Sequence, residues 1–363
     1  MKLQTDEFKA AFNVIDNVSP QSILPSSQNV RFECTQGKLN IALTGIEFSE
    51  SSIKLPTNGT ADAFFVDRRV VGAFLNNANA ESIELAYDDS GKQITFRAGR
   101  SKVTASAIEP ITGYANWRKD SKYSTMEISA NLRRVLGTFS EYAAPSDSSL
   151  SHLSAVYLID GFGVIATDTF VLAACLDKHI AGTLPIPASL ARLVKTTSAS
   201  EIVCNAKVGA AILYPKLGYV YQAVNSNIEN YPLAQFKTLV DRSVKAKPAS
   251  VFDYTDLRQG IEYIGNFLFG AESEVFAECV CTQGQREATL QVITPRIKTQ
   301  RKVPVTARIT KSFKWPISKL KSWLEFADGK TAEISVTHEQ GMNSFVFKSD
   351  DGCTYALLIV EVE

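Results

Sequence analysis

Histidine, methionine and tryptophan are scarce in this chain of 363 residues, with three of each. The histidines, His152, His179 and His338, stand far apart, and none has a cysteine or aspartate at the spacing of a catalytic motif. There is no Walker-type phosphate loop, and no strand-linked GxGxxG sequence is present. We therefore expect a protein that is not an enzyme, with no cofactor and no catalytic or metal-binding residues.

Cysteines are few and lie mostly within apolar strands, and no CxxC pair occurs that would indicate a zinc site or a dense disulfide scaffold. Cys279 and Cys281 are expected to share one strand face as small hydrophobic side chains. The N-terminal residues carry no apolar targeting region, and no apolar run is long enough to span a bilayer. These absences predict a soluble, cytoplasmic protein with no membrane partner.

An excess of charge is also lacking, since 38 basic residues balance 38 acidic residues. This balance excludes a strongly basic DNA-wrapping protein but leaves room for a segregated distribution of charge. The hydrophobic fraction of 45% and the length are sufficient for two or three domains, each with its own core.

One pattern of elements recurs three times along the chain. Apolar runs that end on a threonine followed by a turn residue occur at 41–48, 164–175 and 290–297. Amphipathic helices are predicted to begin in pairs, near Asp6 and Asp67, near Ala130 and Pro187, and near Tyr254 and Pro316. Two helices among many short strands, three times over, predict an α+β fold with helices packed on antiparallel sheets. The predicted repeats are 1–122, 123–246 and 247–363, and Lys245–Pro248 reads as the linker to the third repeat.

The exposed faces of these helices carry more basic than acidic residues. A cationic helical face that contacts phosphates without reading bases would bind DNA weakly and with a steep salt dependence. Solvated helix faces are the alternative interpretation of the same pattern. The candidate DNA-binding residues are Arg68, Arg69, Arg133, Arg134, Arg192, Lys195, Arg258, Lys319 and Lys321.

The middle run contains a polar turn, Thr167-Asp168-Thr169, between two apolar strands. Asp168 is expected to hold this turn by an Asx-type hydrogen bond, and a role as a metal ligand is the alternative. Nearby, Gly161-Phe162-Gly163 is a hairpin signal.

Several stretches resemble, in matching order, the bacterial-type DNA polymerase sliding clamp, the β subunit of the replicase. Residues 97–102 are similar to that family's Arg-Ser-Gly-Arg-Ser-Arg strand, and 165–173 to its Val-Ala-Thr-Asp-Gly-His-Arg-Leu-Ala. Residues 153–156 are similar to its Leu-Asn-Gly-Val, and 355–358 to its Tyr-Val-Val-Met. The resemblance spans the whole chain.

The resemblance implies three clamp modules per chain and a head-to-tail homodimer that closes into a ring around duplex DNA, without sequence specificity. It implies a DNA polymerase processivity factor, with the polymerase and a clamp loader as partners, and Tyr114 at the dimer interface. It also implies a pocket for a partner's peptide, formed by Leu153, Thr167, Thr169, Phe170, Val171, Leu172, Leu357, Leu358, Ile359 and Val360.

The sequence departs from the family at the edge of that pocket. Gly-His-Arg of the family is Thr169-Phe170-Val171 here, and its C-terminal Pro-Met-Arg is Ile359-Val360-Glu361. Its DNA-contacting loop arginine would fall at Gln21, and its loop tyrosines at Ser151 and His152. These differences suit a divergent clamp, of a bacterial cell or encoded by a virus and acting in the host cytoplasm. A non-catalytic viral structural or assembly subunit built from the same triplicated module is the alternative, and a hydrolase with an unrecognised Asp or His site is a second.

Overall fold

The computed structural model describes 16 ranges of the chain, and every structural statement below concerns these residues. They are 1–18, 28–44, 50–58, 61–108, 123–145, 149–169, 171–196, 198–205, 209–214, 218–223, 230–268, 275–307, 311–327, 331–339, 342–349 and 355–360.

Six of the helices in these ranges begin close to the predicted positions. Asp67 caps the second helix by accepting a hydrogen bond from the Arg69 amide, and Asp253 caps the sixth in the same way through Asp256. The remaining helix, which follows Pro232, was not predicted. The helices are α1 (Thr5–Val18), α2 (Arg68–Asn77), α3 (Ala130–Phe139), α4 (Ala188–Thr196), α5 (Leu233–Lys245), α6 (Tyr254–Gly265) and α7 (Ile317–Ala327).

The strands confirm the threefold recurrence, because the order strand, helix, four strands, helix, three strands occurs three times. The first set is β1 (Lys2–Gln4), β2 (Asn29–Thr35), β3 (Lys38–Thr44), β4 (Glu50–Pro56), β5 (Ala61–Asp67), β6 (Ser82–Asp88), β7 (Gln93–Ala98) and β8 (Ser101–Ser106). The second is β9 (Ser124–Glu127), β10 (Ala155–Ile159), β11 (Gly163–Thr167), β12 (Val171–Leu176), β13 (Leu184–Pro187), β14 (Glu201–Asn205), β15 (Gly209–Tyr214) and β16 (Gly218–Ala223). The third is β17 (Pro248–Asp253), β18 (Phe276–Cys281), β19 (Glu287–Ile293), β20 (Lys298–Ala307), β21 (Lys311–Pro316), β22 (Thr331–Glu339), β23 (Met342–Ser349) and β24 (Tyr355–Val360).

The chain forms two compact units. The first contains Met1–Ser129 and Thr196–Val224, and the second contains Ala130–Lys195 and Asn225–Glu363. Strands of the middle set therefore belong to both units, so the units do not follow the predicted boundaries 1–122, 123–246 and 247–363, which stay a prediction.

Each strand set forms two four-stranded antiparallel arrangements with the same internal order. In the first unit the orders are β1-β6-β7-β8 and β5-β2-β3-β4, the latter extended by β16-β15-β14-β9. In the second unit, β13-β10-β11-β12 continues into β24-β23-β22-β17 and then β20-β19-β18-β21. The α+β prediction with antiparallel sheets is therefore confirmed.

Neighbouring sets are joined by one rule. The fourth strand of a set pairs antiparallel with the last strand of the next set: β4 with β16 in the first unit, and β12 with β24 in the second. Among the described residues, β8 ends its sheet. Strand β17 pairs with β20 only at Val305, Thr306 and Ala307, so within the described part of the chain the earlier part of that β20 edge has no neighbouring strand.

Aromatic side chains fill the core of each unit. In the first unit, Phe32 stacks on Phe64 at 5.3 Å between ring centroids and packs edge-on to Phe8 and Phe96. In the second, Trp315 and Trp323 are buried and both contact Phe347. Burial of each such ring contributes about 2 kcal/mol or more to folding.

Two local predictions, one in the middle set and one in the third set, are also confirmed. Strands β10 and β11 form the expected hairpin around Gly161 and Gly163, and a Cβ at Gly163 would overlap the Cys175 carbonyl oxygen. In the third set, Cys279 and Cys281 are both buried on one face of β18, with their Sγ atoms 3.9 Å apart.

Candidate nucleic-acid interface and peptide pocket

Helix α4 exposes the strongest basic face among the predicted DNA-binding residues. Its apolar residues Leu190 and Val194 are buried, and Arg192 and Lys195 are exposed on the other side. Lys195 Nζ lies 4.0 Å from a carboxylate oxygen of Glu141, and both side chains are largely in solvent. Such an exposed ion pair is weak, so it does not prevent Lys195 from turning towards an external phosphate. The exposed Arg192 can do the same.

The two arginines of α3 are instead bound to the C-terminal turns of neighbouring helices. Arg133 donates to the Val194 carbonyl of α4 at 2.7 Å, and Arg134 donates to the Phe326 carbonyl of α7 at 3.2 Å. The Arg134 guanidinium also lies 4.7 Å from the centre of the Phe326 ring. A cation at a helix C-terminus satisfies carbonyls that have no partner within the helix. These arginines therefore hold α3, α4 and α7 together.

The expectation that both arginines at the start of helix α2 are exposed is wrong. Arg68 was expected to face outward, but its side chain is only 6% exposed and forms an ion pair with Asp16 of α1. Arg69 is 77% exposed and pairs with the capping Asp67 at 2.8 Å. The hydrogen bond from Arg69 lowers the pKa of Asp67, which keeps the cap ionised. Arg68 thus holds α1 and α2 together, and only Arg69 of the two arginines reaches solvent.

Lys319 of α7 is also mostly occupied within the protein. Its ammonium donates to the Glu141 carbonyl, lies 3.5 Å from the Asp168 carboxylate and sits over the Tyr142 ring at 5.6 Å. Tyr142 is buried and donates to the Lys319 carbonyl at 2.9 Å, and burial raises the pKa of its hydroxyl well above the usual value. The lysine therefore joins α7 to the end of α3 and to the turn at Asp168.

Two further cations pair along their own helices. Arg258 of α6 contacts Glu262 at 3.0 Å, and Lys321 of α7 lies 4.0 Å from Glu325. Ion pairs four residues apart on a helix stabilise it by only about 0.3 to 0.5 kcal/mol. The Lys321 side chain remains exposed. Of the nine predicted DNA-binding residues, the exposed ones are Arg69, Arg134, Arg192, Lys195 and Lys321.

The turn between β11 and β12 has the predicted Asx-type bond. The Asp168 carboxylate accepts from the Val171 amide at 2.9 Å, and Thr167 Oγ1 accepts from the Thr169 amide at 3.1 Å. Thr169 has a φ of 83°, in the left-handed region that a β-branched residue rarely adopts. Glycine, which the resemblance places at this position, fits this backbone without strain.

Replacing Thr169 by glycine is expected to stabilise the protein by about 1 kcal/mol, because the strain of a β-branched residue at positive φ exceeds the entropy that glycine loses on folding. Urea unfolding followed by circular dichroism measures this difference. Thr125→Gly on the exposed strand β9 is the matched control and should destabilise by about 1 kcal/mol. Equal destabilisation by both variants would contradict the strain at Thr169.

The predicted pocket residues come together across the β12–β24 pairing. Val171 is opposite Ile359, Leu172 is opposite Leu358, and Ala173 is opposite Leu357. The second unit thus brings two predicted walls of the pocket onto neighbouring strands. Phe170 and Tyr114 lie outside the described residues, as do the side chains of Leu357, Leu358, Ile359 and Val360.

Burial separates the described pocket residues into two groups. Leu153, Thr167, Val171 and Leu172 are at most 4% exposed and belong to the core, whereas Thr169 is exposed. Leu172→Asp would place a carboxylate in the core and so cost the protein much of its stability. It is therefore not a clean test of peptide binding.

Helix α5 borders the same part of the second unit and was missed in the sequence. It packs on β22, β23 and β24, and Lys348 of β23 donates to the Val244 carbonyl at its C-terminal end at 3.0 Å. Tyr231, just before the helix, stacks on Tyr157 and contacts Phe236 edge-on. The spacing of Phe236 and Val240 was the signal that could have identified it.

No helix of the described residues is long and apolar enough to cross a membrane. Comparison of the sequence with protein-family models and with curated proteins gives no match.

Comparison with solved structures gives likenesses over the full length. The DNA polymerase sliding clamp of Pseudomonas aeruginosa superposes with a TM-score of 0.78 at 17% identity, over 100% of this chain and 99% of that one. The DNA polymerase III β subunit of Thermotoga maritima gives 0.77 at 13% identity, and the DNA polymerase β subunit of Streptococcus pyogenes gives 0.77 at 15%, each with the same coverage. The chain therefore has the three-repeat fold of the bacterial DNA polymerase sliding clamps.

Proposed function

We propose that this protein is a DNA polymerase processivity factor, a homodimeric ring that encircles duplex DNA and tethers a polymerase. The observation that carries the proposal is the full-length likeness to sliding clamps, together with basic helix faces on the same modules. A ring needs no tight contact with DNA, because topology supplies retention and weak phosphate contacts permit sliding. The protein acts as a non-catalytic factor in the cytoplasm and depends on a clamp loader.

The strand-pairing rule supports the closure of such a ring by two chains. Within one chain, β4 pairs with β16 and β12 pairs with β24. Continuing the rule, β20 of one chain would pair with β8 of a second chain, and the reverse pairing would form the other junction. A head-to-tail contact of this kind forms a closed ring when the rotation that relates the two chains brings the free edge of the second chain back to the first. It would cover both open strand edges, which are otherwise sites of uncontrolled association.

Exposed apolar side chains beside these edges also support this interface. Tyr263 and Phe267, 41% and 38% exposed, pack edge-on at 5.1 Å, and Arg301 of β20 lies 5.5 Å from the Tyr263 ring centre. In the first unit, Ile108, shortly after β8, is 38% exposed. Tyr114 was predicted at this interface and remains part of the proposal.

The tethering site is proposed at the β12–β24 junction, bordered by the turn at Asp168 and by α5. Extended peptides dock their aliphatic and aromatic anchors into apolar slots such as one between two modules. The proposed contacts are Thr169 and Phe170 at the turn and Leu357 to Val360 on β24.

Retention on circular DNA tests the proposed function. Chains dissociated by dilution are reassociated with a nicked circular plasmid, and the complex is separated by gel filtration at high salt. Protein that elutes with the circle and is released when one restriction cut linearises it has been held by topology. Equal retention on circular and linear DNA would indicate ordinary binding and contradict the ring.

A further inference from the structure

The third repeat contains a segment of strongly segregated charge. Residues 286–314 include eight basic residues and one acidic residue, Glu287, although the whole chain is balanced. The basic residues are Arg286, Arg296, Lys298, Arg301, Lys302, Arg308, Lys311 and Lys314. Arg308 and the side chain of Lys311 lie outside the described residues.

Strand alternation places most of the described cations on one side of the sheet β21-β18-β19-β20. The inward residues Cys279, Leu290 and Val303 are buried, and a Cβ on Gly260 of α6 would contact Leu290 and Val303. Helix α6 therefore covers the inward side. The opposite side, here called the basic sheet face, exposes Lys298, Lys302 and Lys314 on its strands and is bordered by Arg286 and Arg296 in the adjoining turns.

Aliphatic side chains are exposed among these cations. Ile293 is 62% exposed and pairs directly with Lys298, and Val280 is 37% exposed and pairs with Thr289. Thr289 in turn pairs with Lys302. The basic sheet face therefore combines positive charge with apolar area that stays in contact with water.

The chain itself neutralises only part of this charge. Glu287 pairs with Lys302 at 3.2 Å, at a site open to solvent. Glu278 accepts hydrogen bonds from Ser312 and Gln291, which lower its pKa, and nearby Lys314 lowers it further. Within the described residues, Arg286, Arg296 and Lys298 have no carboxylate within 4 Å.

We propose that the basic sheet face binds an acidic segment of a partner protein that carries aliphatic side chains among its carboxylates. Carboxylates would pair with Arg296, Lys298 and Lys314 and raise the association rate, while an aliphatic anchor would cover Ile293. The site is distinct from the proposed peptide pocket and from the basic helix faces, and it does not depend on the ring.

Two other occupants fit the face less well. A second copy of this chain joined through β8 would bring Arg97 and Lys102, which are also exposed cations, so it would not neutralise the face. Single-stranded nucleic acid is bound by stacking of bases on exposed aromatic rings. The aromatic residue described on this face, Phe276, is half-buried, and phosphates gain nothing from the exposed Ile293.

Fluorescence anisotropy of labelled probes tests the proposal on the full-length protein. The main probe is a short peptide in which Leu and Ile alternate with Asp and Glu. The comparison probes are the same peptide with Ser in place of Leu and Ile, and an oligothymidine of equal charge. The variants are Arg296→Glu/Lys298→Glu/Lys314→Glu and Ile293→Ser. Lys38→Glu/Lys54→Glu/Lys178→Glu, on exposed positions of β3, β4 and the turn after β12, is the charge-matched control.

We expect the triple variant to bind the main peptide at least tenfold more weakly, Ile293→Ser a few-fold more weakly, and the control variant as the wild type does. Circular dichroism verifies that each variant is folded. The proposal is overturned if the wild type does not bind the peptide, or if the triple and control variants lose the same affinity. Tighter binding of oligothymidine, unaffected by Ile293→Ser, would assign the face to nucleic acid and would also overturn it.

Discussion

Replacing both Tyr263 and Phe267 by aspartate is expected to convert the proposed dimer, of twice 39.7 kDa, into a monomer of 39.7 kDa. Both rings are exposed in the isolated chain and lie beside the open edge of β20. Covering each ring in the proposed interface contributes about 2 kcal/mol. Loss of both rings therefore weakens each of the two junctions of the dimer about a thousandfold, before the repulsion between new carboxylates is counted. Sedimentation equilibrium over a dilution series measures the change.

Val280→Asp is the matched control for this variant. Val280 is also an exposed apolar residue of the third repeat, but it lies on the outward side of β18, two strands away from the open edge of β20. It should leave the mass of the dimer unchanged. A double variant that stays dimeric at the concentrations where the wild type is dimeric would place the interface elsewhere.

Reversing Arg192 and Lys195 to glutamate is expected to remove most of the DNA affinity that α4 contributes. Both side chains are exposed, so their replacement leaves the core intact. Loss of two phosphate contacts should weaken DNA binding about tenfold to a hundredfold. It should also reduce the slope of log affinity against log salt concentration by about two. Electrophoretic mobility shifts on a short duplex across a salt series measure both quantities.

Lys38→Glu/Lys54→Glu serves as the control here, since it changes the net charge by the same amount on strands instead of a helix. If this control weakened DNA binding as much as the α4 variant, the effect would be one of total charge, and α4 would not be a DNA-contacting surface. In contrast, Arg68→Glu would be uninformative, because it would disrupt the contact with Asp16 that joins α1 to α2.

The sequence predicts the elements well because their signals are local. Apolar residues at helical spacing identify α2 and α6, and each helix is capped by the aspartate just before it, Asp67 or Asp253. The Asx-type turn at Asp168 is local in the same sense, since its bond spans three residues. Helix α5 was missed because its apolar stripe is short and follows a proline-containing segment.

The roles of individual cations could not be read in this way, because their partners are distant in sequence. Arg68 contacts Asp16, 52 residues earlier, and Arg134 contacts Phe326, 192 residues later. Helical spacing indicates which side of α3 is polar but not that its arginines reach the ends of two other helices. The open strand edges and the basic sheet face likewise follow from pairing between elements, which periodicity alone does not specify.

The pairing of β12 with β24 has a consequence for synthesis on the ribosome. Cys175 is opposite Tyr355, a separation of 180 residues. At roughly 5 to 20 residues per second, the edge of β12 emerges on the order of ten to forty seconds before its partner strand exists. During that interval an apolar strand is exposed to other nascent chains. We therefore expect truncation before β24 to yield an aggregating product.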